Sequence, residues 1–397
     1  MAMSSSWVVE IERYISGDAG SSMPGVMGRG SKPGHSIYRV PEYIKNMTNP
    51  NAYRPQVVSL GPFHHGDPAL ILMEKHKCRA VANLVKRSGK PLLEFIAVVE
   101  EIKVQLQDAY ENLEDIWYQG TRFVEMMLKD GCFLLEMARV FELHGRVEDY
   151  ESDDSVFSKH GCLYLFSGIQ SDVVLMENQL PLLLLHKLIN VAYGHGFLKG
   201  ASGARRHRQG LATNFVIPCA AELHEAGIHF KLSDRTGFAG GISFEGGVLK
   251  IPRIFFMDNV ESVFLNLMAF VRLHPGVGND VMAFVYFMDN LIGTAKDVAI
   301  LRSKGIIESG LGSDEAVANL INKILTKGTV MSIDSSIHDV LREINAHCKK
   351  PWNKWRATLM HRYFSNPWVF ISLLAAIILL LATLLQTIYT IITFYKK

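Results

Sequence analysis

The sequence predicts a mainly α-helical protein: one large helical domain with a small β-hairpin or strand insertion, followed by a single C-terminal transmembrane helix. Three observations support this prediction. Residues 363–395 carry no formal charge, and Ser372–Leu385 is almost wholly aliphatic. Apolar residues recur at helical spacing through most of the preceding chain. Short apolar runs between glycines occupy residues 228–251, which is typical of strands joined by tight turns.

The C-terminal apolar run is long enough to cross a membrane, because a spanning helix needs about 20 apolar residues. We expect the span over 368–391, with aromatic rings near both ends, and a short tail over 392–397. The alternative is a long helix buried in a core, but the length of the uncharged run and the final Lys396–Lys397 favour the membrane. The predicted anchor residues are Trp368, Phe370, Leu374, Ile378, Leu381, Leu385 and Tyr389.

The residues around the span favour a cytosolic position for the large N-terminal domain. The first 15 residues contain no apolar core of signal-peptide length. The uncharged run ends two residues before the end of the chain, so we expect insertion after synthesis, as in a tail-anchored protein. Basic residues are more numerous before the span than after it, and the more basic flank normally stays in the cytosol. Five widely spaced cysteines indicate no disulfide framework. We therefore expect a single-pass protein of the plasma membrane or an endomembrane, with the lipid bilayer as one partner.

The chain before the span divides by composition into three parts. Ser, Gly and Met dominate 17–34, which predicts a disordered N-terminal segment over 1–35. An α-rich domain over 36–348 is long enough to bury a substantial core, and a basic juxtamembrane segment follows over 349–367. The formal net charge is +2 and the basic residues are dispersed, so we expect no nucleic-acid partner.

The first half of the domain contains one β-like run, over 55–66, and then helical patterns. Between Phe95 and Ile116 apolar residues alternate by three and four, which predicts one long helix. The segment Phe123–Phe141 is apolar on most sides and predicts a buried helix. Another helix is expected from Asp172 through Leu180, and Pro181 is expected to open the next one.

The second half of the domain begins with a flexible loop over about 193–210, predicted from its glycines. Its basic cluster, Arg205–Arg208, either binds an acidic partner or lipid headgroups or is simply a solvated loop. Short strands are expected at about 228–251. Helical patterns then resume over 259–273, 280–291, 294–304, 314–326 and 333–348.

Six polar residues stand among the apolar residues of the predicted helices. Buried carboxylates require partners, and Arg139 or Lys187 are candidates. The residues predict either a buried network that fixes how the helices pack or paired carboxylates for acid–base catalysis, and we favour the network. The set is Asp130, Glu136, Asp172, Glu177, Asn178 and Gln179.

Motifs of known catalytic or metal sites are weak. His224 and His229 resemble a zinc-protease helix, but they are five residues apart and the motif needs four. His64 and His65 are adjacent in a Gly/Pro turn, where we favour a turn-stabilising role over metal binding. We find no nucleophile elbow, P-loop or dinucleotide fingerprint, and we expect no cofactor and no metal. The alternative is a tail-anchored, hydrolase-like enzyme whose site is assembled from residues distant in sequence.

One face of the span carries small and hydroxyl side chains. Such a stripe lets helices approach closely and form hydrogen bonds in lipid, which predicts self-association or pairing with another span. The alternative is that the hydroxyls bond to their own helix. The face consists of Ser372, Ala376, Thr383, Gln386, Thr387 and Thr390.

Several ordered motifs resemble the plant DUF247 family, also called UPF0481. They are Ile37–Pro41, Val58–Gly66, Asp130–Glu136, Glu177–Pro181, Leu249–Pro252, Gly305–Ile307 and Tyr363–Trp368. The resemblance implies a mostly helical, membrane-attached plant protein without an established catalytic activity. Some members are male-side determinants at the self-incompatibility loci of grasses, where they are thought to recognise small secreted pistil proteins. We therefore expect a membrane-anchored, non-enzymatic interaction or recognition protein of plants whose protein partner is unknown. A role of the self-incompatibility kind needs a surface outside the cell, against the topology that the basic residues favour.

Overall fold

The computed structural model describes residues 36–151, 153–194, 216–235, 237–274, 277–325, 337–351 and 367–395. The described residues fall into two compact units, drawn from Met1–Arg205 with Glu261–Val277 and from Arg206–Val260 with Gly278–Lys397. The expected domain over 36–348 therefore contains parts of both units. Several predicted segments lie outside the described residues: the disordered segment over 1–35, the flexible loop over about 193–210 from residue 195 onwards with its cluster Arg205–Arg208, and most of the basic segment over 349–367.

The predicted fold class is confirmed: among the described residues helices dominate, the strands are few and short, and one long apolar helix lies at the C-terminal end. The helices are α1 (Glu42–Met47), α2 (Met73–Ser88), α3 (Leu92–Glu101), α4 (Lys103–Gln107), α5 (Arg122–Glu142), α6 (Lys159–Tyr164), α7 (Phe166–Val174), α8 (Leu182–Tyr193), α9 (Ala220–Glu225), α10 (Val260–Leu273), α11 (Asp280–Leu291), α12 (Ala295–Ser303), α13 (Asp314–Asn319), which continues into a π-helical turn (Leu320–Leu325), α14 (Ile337–Cys348) and α15 (Pro367–Tyr395). The strands are β1 (His229–Leu232), β2 (Ser243–Glu245), β3 (Val248–Ile251), β4 (Ile254–Phe256) and β5 (Ile307–Ser309).

Helix α5 is the centre of the first unit. It is the predicted buried helix, and α2, α3 and α8 pack against it. Its apolar residues lie on most of its circumference, so it buries side chains towards several neighbours at once. Gly131 allows α5 and α8 to pack closely together, because a Cβ at this position would lie 2.5 Å from a methyl of Leu188 on α8.

The predicted continuous helix from Phe95 to Ile116 is wrong. Helix α3 ends at Glu101, α4 is only five residues long, and Asn112 adopts a left-handed φ of 53°. Gln107, which the pattern places outside the apolar seam, is buried and donates a hydrogen bond to the carbonyl of Trp117 at 2.8 Å. Ile116, expected on the seam, is 47% exposed. The buried amide of Gln107 therefore stabilises a turn where the apolar pattern predicts the last part of the helix.

Helix α10 completes the first unit from a distant part of the sequence. Asn266 on α10 is 1% exposed, and its Nδ2 donates to the carbonyl of Ala52 at 2.8 Å. Its Oδ1 accepts from the backbone N–H of Met176 at 2.9 Å. One buried amide therefore satisfies main-chain groups of two segments that lie far before it in the chain.

The second unit contains two small sheets. Strands β1, β3 and β2 form one sheet in that order, with β1 parallel and β2 antiparallel to β3. Gly246 and Gly247 both have positive φ, of 57° and 83°, which a two-residue hairpin turn of type I′ requires. The expected strands at 228–251 are therefore present. Strands β4 and β5 form a second, parallel pair that the sequence patterns did not indicate.

Helix α15 contains the predicted span. Its residues 374–392 have a mean hydropathy of 2.2, and none of that stretch is buried. Among the predicted anchor residues, Leu374, Ile378, Leu381, Leu385 and Tyr389 are between 48% and 71% exposed. Trp368 and Phe370 lie in the first two turns of the same helix. This exposed apolar helix fits a membrane anchor.

Candidate functional site

The predicted polar residues lie in the first unit and on fewer helices than expected. Asp130 and Glu136 are on α5, and Asp172 is on α7. The expected helix from Asp172 through Leu180 is wrong beyond Val174, since residues 175–181 form an irregular connection to α8. Glu177, Asn178 and Gln179 lie in this connection. All six are buried except Gln179, which is half-buried.

The side chains of Asn178 and Gln179 cap the C-terminal end of α7. The last carbonyls of a helix have no partner within the helix and need another donor. Asn178 Nδ2 donates to the carbonyl of Asp172 at 3.0 Å, and Gln179 Nε2 donates to those of Val173 and Leu175 at 2.5 and 2.7 Å. These bonds are the physical reason that the helix does not continue to Leu180.

Asp172 binds the main chain of the run predicted as β-like. Its Oδ1 accepts from the N–H of Gln56 at 2.9 Å, and its Oδ2 accepts from those of Val57 and Val58 at 2.6 and 2.8 Å. Burial raises the pKa of Asp172, and the three N–H groups oppose this rise. Residues 55–66 form no strand, because side chains take the place of a neighbouring strand.

Asn178 and Asp130 continue the same pattern. Asn178 Oδ1 accepts from the N–H of Leu60 at 2.6 Å, and its Nδ2 donates to the carbonyl of Val58 at 3.0 Å. Asp130 Oδ2 accepts from the N–H of Gly61 at 2.8 Å. Asp172, Asn178 and Asp130 therefore hold most of residues 56–61 in place, and we call this segment with its three side chains the cradle.

Gly61 ends the cradle where only glycine fits. Its φ is 73°, in the left-handed region. A Cβ at this position would lie 2.7 Å from the carbonyl oxygen of Gln179 and 2.9 Å from the hydroxyl of Tyr110. That hydroxyl donates to the same carbonyl at 2.8 Å, so the two groups cannot move apart without losing a buried hydrogen bond.

Asp130 also forms a buried ion pair. Lys77 Nζ lies 2.6 Å from Asp130 Oδ1 and 2.6 Å from Glu74 Oε1, and it donates to the carbonyl of Ser59 at 2.7 Å. Burial lowers the pKa of Lys77, but the two carboxylates outweigh it and the pKa is raised. Burial raises the pKa of Asp130, and Lys77 opposes that rise. The lysine is fully buried, so it depends on these partners for its charge.

Glu177 connects Val40 and Lys45, near the start of the described residues, to the network. Its Oε1 lies 2.9 Å from Lys45 Nζ and accepts from the N–H of Val40 at 2.7 Å, and its Oε2 lies 3.4 Å from His64 Nε2. Burial raises the pKa of Glu177, but His64, Lys45 and Val40 outweigh it and hold the pKa below its ordinary value. His65 turns away and contacts the ring of Trp117, with centroids 5.3 Å apart.

Glu136 belongs to a separate cluster. It forms ion pairs with Arg87 and, at 3.1 Å, with Arg139, and it accepts from the hydroxyl of Tyr150 at 3.1 Å. Asp149 bridges the same two arginines. Burial raises the pKa of Tyr150, and the negative charge of Glu136 raises it further. Arg139 is therefore a partner as expected, whereas Lys187 is not, since it pairs with Glu101 at 3.2 Å.

Lys45, Lys77 and Arg87 are members of these clusters that the sequence patterns did not single out. Lys77 had a usable signal: together with Met73, Ala80 and Leu84 it forms the buried stripe of α2. A lysine at a stripe position predicts a buried cation with a carboxylate partner. Lys45 and Arg87 have no comparable signal, because both lie at positions that reach the surface.

The remaining candidates lie apart from the network. His224 is in α9 and His229 is in β1, so the two imidazoles are on different elements. Among the described residues, no three His, Cys, Asp or Glu side chains are placed to hold a metal ion. On α15, the hydroxyls of Thr383, Thr387 and Thr390 donate to carbonyls of their own helix. Ser372, Ala376 and Gln386 lie on the same helix and are exposed.

Comparison with known proteins agrees with the motifs. The model of a family described as DUF247, a plant protein of unknown function, matches residues 37–202 and 195–382. The UPF0481 protein At3g47200 of Arabidopsis thaliana is 28% identical over an alignment of 421 positions that covers 90% of this chain and 86% of the relative. The putative UPF0481 protein At3g02645 of the same plant is 25% identical over 178 residues, covering 44% of this chain and 33% of the relative. No solved structure matches. Since the family model spans most of the chain, this protein belongs to the DUF247 family of plant proteins of unknown function.

Proposed function

We propose that this protein is a membrane-anchored interaction protein of plants that acts by recognition and not by catalysis. The observation that carries the proposal is the exposed helix α15. Its span Leu374–Ile392 has no buried residue, and its mean hydropathy is 2.2. A monomeric soluble protein rarely leaves so long an apolar surface in water, whereas a bilayer covers it.

The contacts of the buried carboxylates favour a structural role over a catalytic one. A general acid or base has to reach a proton on the substrate. Asp130, Asp172 and Glu177 are at most 3% exposed, and each carries two or more bonds to main-chain N–H groups or cations. Their bonds join distant segments of the chain, which is a structural role.

The competing proposal, a tail-anchored enzyme, rests on a concavity beside the Glu136 cluster. Its volume is about 490 Å³, and Arg79, Asn83, Asp149, Tyr150 and Asp154 contribute to its lining. Two of the four lining carboxylates are paired, Asp154 with Arg79 and Asp149 with Arg87 and Arg139, and Glu151 and Asp153 are the other two. An activity that disappears in Tyr150→Phe, without a change in melting temperature, would favour the enzyme.

The anchor is tested by alkaline carbonate extraction of membranes from plant cells that express the full chain. Wild type is expected in the membrane pellet. Two lysines at the centre of a span oppose insertion by about 5–7 kcal/mol together, so Ile378→Lys with Leu381→Lys is expected in the soluble fraction. Ile378→Val with Leu381→Ile is the matched control and should stay in the pellet. A double-lysine variant that stays with the membrane as wild type does would overturn the anchor.

We further infer that the large domain faces the cytosol and that its partner is intracellular, since the more basic flank precedes the span. Protease protection in sealed plant microsomes, with a tag at each end, tests the topology. Asn46 is an internal reporter, because it is exposed on α1 and begins the sequon Asn46–Thr48. Digestion of the domain without detergent is the expected result. Protection together with a glycan on Asn46 would contradict it and would favour cell–cell recognition of the self-incompatibility kind.

A further inference from the structure

The three-stranded sheet of the second unit has one buried face and one open face. Side chains alternate between the two faces of a strand. Phe230, Leu249 and Ile251 are at most 3% exposed and form the buried face. On the opposite face of the sheet, Lys231 of β1 and Lys250 of β3 are exposed to solvent.

The register places these two lysines side by side. Lys231 is the partner of Lys250 in the parallel pair β1–β3, and Lys250 is the partner of Ser243 in the antiparallel pair β2–β3. A row of Lys231, Lys250 and Ser243 therefore crosses all three strands, which are about 4.8 Å apart. Like charges directly opposite each other destabilise a sheet. In the described part of the chain, neither ammonium group forms an ion pair with a carboxylate, so no described contact offsets the repulsion.

The same row lines a concavity of about 420 Å³. Arg235 and Ser233 extend the lining beyond the end of β1, and Asp234 and Glu245 also contribute to it. Three cations and two carboxylates give the lining a formal charge of +1. Glu245 is opposite Val248, two positions along β3 from Lys250, so its carboxylate is outside the row that contains Lys231 and Lys250.

We propose that this concavity binds a phosphate-bearing ligand whose phosphate group bridges Lys231 and Lys250, with Arg235 and the hydroxyl of Ser243 as further donors. A phosphate monoester carries about −1.5 to −2 charges at neutral pH and three acceptor oxygens, so one group neutralises both lysines. A single carboxylate would leave one lysine uncompensated. The phosphate belongs either to a soluble ester or to the headgroup of an inositol lipid, which offer the same chemistry. This site is independent of the network in the first unit.

The test uses the full chain in phosphatidylcholine nanodiscs, titrated with inorganic pyrophosphate by calorimetry. A second arm measures co-flotation with phosphatidylcholine vesicles that contain or lack phosphatidylinositol phosphate. Lys231→Gln with Lys250→Gln removes two charges from the site. Lys75→Gln with Lys86→Gln removes the same charge from exposed positions of α2 and is the matched control.

The site variant is expected to bind at least about tenfold more weakly, because it loses two charge-assisted hydrogen bonds, whereas the control binds as wild type does. Binding of pyrophosphate identifies a soluble ligand, and binding only to vesicles with the phosphorylated lipid identifies a headgroup; both support the proposal. The proposal is overturned if wild type binds neither pyrophosphate nor the phosphorylated lipid. It is also overturned if the site variant and the control variant bind equally well. Without ligand, Lys250→Gln should keep or raise the melting temperature, since it removes a like-charge pair. A lower melting temperature together with unchanged binding would assign the lysine a structural role and refute the site.

Discussion

Replacing Glu177 by glutamine tests the polar network most directly. Glutamine has nearly the same shape, and its oxygen still accepts from the N–H of Val40. The change removes the negative charge that faces Lys45 at 2.9 Å and His64 at 3.4 Å. We therefore expect the variant to fold but to be less stable, with Lys45 left beside a neutral amide.

The structure sets the size of the effect. The side chain of Glu177 is 2% exposed, and that of Lys45 is 17% exposed. Breaking a buried ion pair costs about 3–5 kcal/mol. Because Lys45 still reaches water and Val40 keeps its acceptor, we expect the lower end, about 3 kcal/mol. In a cooperative unit of this size each kcal/mol lowers the melting temperature by about 2–4 °C, so the expected decrease is about 6–12 °C.

Glu42 provides the matched control. It lies 3.2 Å from the same Lys45 ammonium, but its side chain is 78% exposed. Exposed ion pairs contribute about 0–1 kcal/mol, so Glu42→Gln should change the melting temperature by less than about 4 °C. Both variants are measured by thermal unfolding of the full chain, followed by far-ultraviolet circular dichroism. A Glu177→Gln protein with the same melting temperature as wild type would refute the reasoning.

The pH dependence gives an independent check. The pKa of Glu177 is lower in the folded state than its ordinary value of 4.5. The stabilisation is therefore fully present above that value and is lost as the pH falls through the folded-state pKa. The difference in melting temperature between wild type and Glu177→Gln should narrow below about pH 4.5. If the difference in melting temperature stays constant at acidic pH, the charge of Glu177 is not its cause.

Three further predictions concern other parts of the chain. Gly61→Ala should cost about 2–5 kcal/mol, from overpacking against Gln179 and from its left-handed φ, whereas Gly66→Ala, with open space around it, should cost about 1–2 kcal/mol in thermal unfolding. Lys77→Met should cost about 3–5 kcal/mol because it leaves Asp130 buried and unpaired, and adding Asp130→Asn should recover most of that loss in the same assay. Ala376→Ile with Gln386→Leu should reduce cross-linking between copies in the membrane, and unchanged cross-linking would refute association through that face of α15.

Helices were predictable where the apolar pattern was also the packing pattern. Helix α5 agrees with its prediction to within one residue at each end, because it is apolar on most sides and buried against several neighbours. The pattern of Phe95–Ile116 was equally regular, yet a buried Gln107 and the turn at Asn112 interrupt it. Periodicity identifies which residues are buried, but it does not reveal a hydrogen bond that ends a helix.

The cradle was only partly accessible from sequence. Polar residues at apolar positions predict burial, and this reasoning selected Asp130, Asp172 and Asn178. It did not identify their partners, which are backbone N–H groups of residues 56–61, between 69 and 118 positions away in the chain. Main-chain donors leave no signature in the side-chain sequence. Strands β4 and β5 were missed for a related reason, since each has three residues and their partners are more than 50 residues apart.

The position of α10 in the sequence has a consequence for synthesis. The first unit needs Asn266 to satisfy the carbonyl of Ala52 and the N–H of Met176, but residues 206–260 of the other unit are made first. At about 5–20 residues per second, the ribosome takes roughly 3–14 s to pass from residue 205 to residue 273. During this interval the carbonyl of Ala52 and the N–H of Met176 lack the partner that Asn266 provides, and incomplete packing of this kind makes a nascent chain prone to aggregation. Any expression fragment cut at residue 205 reproduces that incomplete intermediate permanently, and it should aggregate where the full chain does not.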